Sequence, residues 1–241
     1  MEQNTLNQLK EKRRAIRHLL SATDPGDALA SYYALWHDPR RTRLTLHHGP
    51  DQRADGFLVV AQTGADLFRP LVTLRAPTPQ VAADLLRAAL GPNRPYQVIV
   101  PVARAPLVRQ ALQVDRARLA HLYRLDPARF QPIVNVLVQR LDSPDGVPRF
   151  QIESRGQLMA MAGTNWRSPT FAEVYVYVHP GGRGRGWGKS VVSACTAALL
   201  KERLRPLYLT EEENEASLQI AQGLGYVDTG QRTFIAQAHL P

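Results

Sequence analysis

The chain has 241 residues, 44% of them hydrophobic, and a formal net charge of +9 at pH 7. Such a chain is long and apolar enough to bury a sizeable core, which excludes a disordered protein, and no apolar run approaches the ~20 residues of a membrane span. A lone cysteine, Cys195, excludes an internal disulfide and fits a reducing compartment, so the cytoplasm is the expected location.

The positive charge is almost all arginine, spread through both halves without a basic tract or interleaved aromatics. Nucleic acid is therefore not expected as the main partner. The first 20 residues read as an amphipathic helix, with Leu6, Leu9, Ile16, Leu19 and Leu20 on one side, and not as a signal peptide. Periodicity predicts helices over 5–21 and 26–36, then strands near 42–48, 56–62 and 70–75. A helix from Pro79 to Leu90 puts Val81, Leu85 and Leu86 on one face and stops at Gly91-Pro92-Asn93. Strand 96–102, helix 106–113 and strand 117–125 follow.

A helix is expected over 129–141, where Phe130, Ile133, Val134, Leu137 and Leu141 share a stripe. Ser143-Pro144-Asp145-Gly146 signals a turn. Strands near 149–154, 157–163 and 172–178, helix 187–202, strand 206–210, helix 214–223 and strand 226–237 complete the chain. Strand–helix–strand–helix–strand thus follows a meander in both halves, which suggests an internal duplication with a boundary near Asp126-Pro127. The expected fold is α/β: a mixed, mostly antiparallel sheet flanked by helices.

The densest chemical signal runs from Glu173 to Ser190: a strand, then His179-Pro180-Gly181-Gly182-Arg183-Gly184-Arg185-Gly186-Trp187-Gly188-Lys189, then an apolar helix. Glycines let backbone N–H groups approach a phosphate, and a helix start adds partial positive charge. A Walker A loop ending on Gly188-Lys189-Ser190 would need glycine where Arg183 stands. A dinucleotide fingerprint fails at Trp187 or at Lys189, depending on its start. An Arg-Gly RNA-binding tract would not be wedged between a strand and a helix.

The loop resembles the pyrophosphate motif of the GNAT acyltransferases, Arg/Gln-x-x-Gly-x-Gly/Ala, at Arg183, Gly186 and Gly188. Val178-x-Pro180 before it is similar to that family's fourth strand, and Asn214 to Tyr226 to its helix ending in Leu-Gly-Phe. The resemblance covers residues 125–241 and implies two GNAT-like halves, 1–125 degenerate and 126–241 catalytic. The tandem order is similar to that of glycine N-acyltransferase-like proteins. In the first half the corresponding junction, Leu74 to Gln80, carries Pro77 and Pro79 where N–H donors are needed, so no pyrophosphate is expected there.

The resemblance also implies direct acyl transfer from acetyl-CoA to an amine, by a monomer or homodimer, without metal. It assigns the co-substrate to Arg183, Gly184, Arg185, Gly186, Trp187, Gly188, Lys189 and Ser190, with backbone at Val176 and Val178 and with Asn214, itself equally a helix N-cap. Glu173 is the candidate base; the alternative is a solvated strand-edge glutamate. Glu211, Glu212 and Glu213 offer a further acidic cluster. The family's tyrosine acid would fall at Ala221, which leaves Ser217 or water to protonate the thiolate, or a CoA-binding regulatory module without efficient turnover. His37, His47 and His48 lack metal-ligand spacing and are expected on the surface, and Cys195 in the core.

Overall fold

The computed structural model describes residues 2–64, 66–142 and 147–241. The predicted turn at 143–146 lies outside the described residues. The chain forms two compact units: Met1–Ala120 with Arg232–Pro241, and His121–Gln231. The last ten residues, which the division at 125/126 puts with the second half, belong with the first unit.

In the first unit α1 (Glu2–Ala15) buries Leu9 and leads to a buried Ile16. The helix expected over 26–36 forms in three pieces: a 3-10 turn at Pro25–Asp27, α2 (Ala28–Ser31) and a π-helical turn at Tyr32–Trp36. Strands β1 (Thr42–His48), β2 (Ala54–Ala61) and β3 (Leu71–Arg75) make an antiparallel meander. Then come α3 (Pro79–Ala89), β4 (Tyr96–Pro101), α4 (Ala105–Ala111) and β5 (Gln113–Leu125). Leu85 and Leu86 of α3 and Val108 of α4 pack on Val72, Val98 and Phe234. Each such fully buried side chain contributes about 1.5–3 kcal/mol. His37 departs from expectation. It is buried, with Nδ1 2.8 Å from Thr42 Oγ1, and desolvation lowers its pKa.

The second unit holds β6 (Gln139–Asp142), β7 (Pro148–Ser154), β8 (Gln157–Arg167), β9 (Phe171–Val178), α5 (Trp187–Lys201), β10 (Arg205–Glu211), α6 (Glu215–Gly223) and the start of β11 (Tyr226–His239). The strand order is β1-β2-β3-β4-β11-β5 in the first unit and β5-β10-β9-β8-β7-β6 in the second. The later part of β11 pairs antiparallel with β4, from Thr233 opposite Pro101 to Ala238 opposite Tyr96. Only β3–β4 and β9–β10 are parallel among the strand pairs whose register is described. The order meander, helix, parallel strand, helix, strand thus recurs, as β1 to β5 and as β7 to β11.

The helix expected over 129–141 is absent; irregular backbone leads into β6 instead. Its apolar residues divide. Phe130, Ile133 and Val138 pack on the core under α5, while Val134 is 91% exposed. Helical bonding is replaced by side chains of α5: Ile133 N–H donates to Ser193 Oγ at 2.8 Å, and Asn135 Nδ2 to Ser190 Oγ at 3.1 Å. Pro132 also disfavours the α-helical conformation at Gln131 before it.

Candidate active site

Strand β9 ends at Val178, and a 3-10 turn at Pro180–Gly182 carries the chain toward α5. Gly184 and Gly186 both have φ of +72°, a left-handed conformation that L side chains rarely adopt. Gly186 is the N-cap of α5 and supplies no side-chain cap. Ser190 N–H is bonded within the helix, to Gly186 O at 3.0 Å, which leaves the amides of Trp187, Gly188 and Lys189 as first-turn donors. The loop thus presents uncapped donors at the positive end of a 15-residue helix.

Close packing explains two other glycines. A Cβ at Gly188 would lie 2.8 Å from Val178 Cγ2 and 3.0 Å from Ile220 Cδ1, and one at Gly182 would lie 2.8 Å from Met159 O. Arg183 and Arg185 are exposed, the Arg185 guanidinium sitting 5.0 Å from the centre of the Trp187 ring. Trp187 rests partly buried on the core of this unit. Lys189 lies across Gly223, where any Cβ would come 2.8 Å from its Nζ. The Ser190 hydroxyl donates to Gly186 O at 3.1 Å and accepts from Asn135, so it holds the helix start to the coil beside it.

Strands β9 and β10 part beside this loop. Their parallel ladder runs from Phe171–Arg205 to Val174–Tyr208 and ends there, although β9 continues to Val178 and β10 to Glu211. The backbone of Val176 and Val178 therefore lines an opening between two strands, next to the uncapped helix.

On the other face of β9, Glu173 is 6% exposed, which excludes the solvated strand-edge alternative. Its Oε1 accepts from Asn165 Nδ2 at 2.7 Å and its Oε2 from Trp166 Nε1 at 3.0 Å. Both donors reach it because β8 bulges: Thr164 faces Val174 and Trp166 faces Glu173, with Asn165 extra. Desolvation raises the Glu173 pKa and outweighs these two bonds, which lower it. A buried carboxyl with a raised pKa keeps Glu173 a candidate base.

Near the parting of the strands, Asn214 caps α6, its Oδ1 accepting from Ser217 N–H at 3.1 Å. The Ser217 hydroxyl is 2.8 Å from Tyr208 Oη. Ala221 is fully buried in the core with Leu224 and Tyr226. Glu212 and Glu213 are exposed, Glu212 Oε2 lying 3.7 Å from His121 Nε2. Among the described residues no group of three His, Cys, Asp or Glu could hold a metal ion. Sequence reasoning missed Asn165, Trp166 and Tyr208. A bulge leaves no compositional mark, and Tyr208 alternates in the sequence like any inward strand residue.

The chain's similarities agree with this geometry. Residues 116–226 match the model of the acetyltransferase (GNAT) family. Among solved structures, a GNAT-family protein from Novosphingobium aromaticivorans is 18% identical, covering 76% of this chain and 88% of its own, with a TM-score of 0.59. A GCN5-related N-acetyltransferase-like protein from Streptococcus suis is 15% identical over 90% of this chain and 100% of its own, with a TM-score of 0.55. A tandem GNAT protein from the clavulanic acid biosynthesis pathway is 13% identical over 98% and 95%, with a TM-score of 0.58. No curated protein sequence matches the chain.

Proposed function

With residues 116–226 belonging to the acetyltransferase (GNAT) family, we propose that this protein transfers an acetyl group from acetyl-CoA directly to an amine. The observation that carries the proposal is the uncapped, glycine-started helix α5 beside the point where β9 and β10 part. In this scheme the amides from Gly184 to Lys189, with Arg183, Arg185 and Lys189, receive the pyrophosphate. The backbone of Val176 and Val178, with Asn214, receives the pantetheine arm, and one of the strand amides donates to the developing oxyanion.

Glu173 takes a proton from the incoming ammonium, directly or through one water. The amine nitrogen then attacks the thioester carbon, the C–S bond breaks, and the sulfur leaves with its electron pair. Ser217, half-buried on the first turn of α6, hydrogen-bonds the departing sulfur. We assign the first unit as a degenerate GNAT-like half that binds no nucleotide, and the cytoplasm as the working compartment.

A second reading, a CoA-binding regulatory module with little turnover, is favoured by the buried Ala221. Release of free CoA from acetyl-CoA in the presence of a panel of amines separates the two. Amine-dependent release supports the enzyme; tight binding of acetyl-CoA with no release above the uncatalysed rate supports the module.

A further inference from the structure

Two tyrosines lie on the core face beneath α5 and α6, and one of them, Tyr208, stands where the β9–β10 ladder ends. Tyr226 is 2% exposed, with its hydroxyl 2.8 Å from Thr196 on α5, itself fully buried. Tyr208 is the last residue of the β9–β10 ladder, and its hydroxyl lies 2.8 Å from that of half-buried Ser217. The tyrosine rings pack 5.6 Å apart, which fixes the Tyr208 ring.

From this geometry we propose that Tyr208 positions Ser217: its hydroxyl donates to Ser217 Oγ, so that the serine proton points into the gap where β9 and β10 separate. The more acidic hydroxyl of a pair is the better donor, and a phenol, with a pKa about 10, is far more acidic than an alcohol. Ser217 Oγ then has its own proton to offer outward, and its backbone N–H is already committed to Asn214 Oδ1 at 3.1 Å.

The inference rests on the acyl-transfer function proposed above, and it makes the pair a hydrogen-bond relay and not an acid. Desolvation raises the pKa of Tyr208, so its proton stays on oxygen throughout. The C–S bond breaks, the sulfur carries the electron pair, and Ser217 stabilises that charge by one hydrogen bond until solvent supplies the proton. Ser217 touches the reacting sulfur; Tyr208 acts through Ser217.

The test uses the full chain with parent, Tyr208→Phe, Ser217→Ala, Ser217→Thr and the Tyr208→Phe/Ser217→Ala pair, each checked for folding by circular dichroism. Ser217→Ala should lower kcat by roughly 10²-fold and Tyr208→Phe by about 10-fold, with KM for acetyl-CoA nearly unchanged. The double variant should be no slower than Ser217→Ala alone, and Ser217→Thr should retain most of kcat. A binding readout accompanies these rates. The ratio of parent to Tyr208→Phe affinity for CoA should grow as pH rises through the CoA thiol pKa, and stay flat for desulfo-CoA, which lacks the sulfur. A parental kcat in folded Tyr208→Phe, effects that multiply in the double variant, or a ratio that rises equally for desulfo-CoA would each reduce the pair to a tie between β10 and α6. If the parent binds no CoA, or binds it without amine-dependent CoA release, the acyl-transfer function fails first; a parent that turns over while the Tyr208→Phe comparison fails overturns the pair alone.

Discussion

The molecule contains two junctions of the same kind, β3 to α3 and β9 to α5, and they differ where the helix begins. In both, a parallel ladder stops early: β3 and β4 pair only at Leu71–Gln97 and Val72–Val98, and β9 and β10 stop at Val174–Tyr208. Both helices start beside parting strands. At α3 the start is closed. Thr78 caps it, accepting from Val81 N–H at 3.2 Å, and Pro79 brings no N–H at all. The charge there is matched too, Arg75 being bonded to Asp27 and to Leu19 O. At α5 the cap is Gly186 at φ +72°, no side chain closes the helix, and neither Arg183 nor Arg185 has a carboxylate partner among the described residues. Topology supplies the gap twice; the few residues between strand and helix decide whether anion donors stand in it.

The largest expected effect breaks the α5 side of that contrast. Gly186→Val puts a β-branched residue at φ +72°, a backbone conformation it rarely adopts, so the loop and its first-turn amides must shift and calorimetry should detect no CoA binding. Unchanged affinity in a folded variant would sink the assignment of the loop. Next comes Glu173→Gln, which should keep CoA affinity while lowering kcat by roughly 10²–10⁴-fold when chemistry is limiting. Parental turnover would make Glu173 a buried strand residue and move the search for the base to Glu211, Glu212 and Glu213.

The α3 side is sharpened by Thr78→Ala. Loss of that cap should cost about 1 kcal/mol in denaturant unfolding and leave CoA affinity untouched. A fall in CoA affinity would mean that both junctions take part. The smallest effect is in the pH dependence of stability. Burial raises the Glu173 pKa above its ordinary 4.5, so the folded state binds the proton more tightly than the unfolded state. Its contribution is full below about pH 4.5 and declines as pH rises through the elevated folded value. Thermal unfolding of Glu173→Gln should lack that decline, and equal slopes for the two proteins would show that Glu173 does not titrate in this window.

Much of this contrast was legible in the sequence, since glycine and proline act through the backbone itself. Gly186 and Pro79 announced an open and a closed helix start before any contact was known. The alternation over 172–178 marked β9. Side-chain bonding between distant segments was not legible. The stripe from Phe130 to Leu141 has helical spacing, yet Ser190 and Ser193 of α5 bind the backbone and Asn135 of that stretch as coil. Glu173 likewise reads as an edge residue until the bulge at Asn165 brings two donors to its oxygens. Tyr208 gains meaning only once α6 sets Ser217 against it.

A crystal structure of the full chain with CoA tests the central claim most directly. The account predicts pyrophosphate oxygens within hydrogen-bond distance of the backbone N–H groups between Gly184 and Lys189, and none near the first junction. Phosphates bound beside residues 75–82, with the α5 start unoccupied, would contradict it.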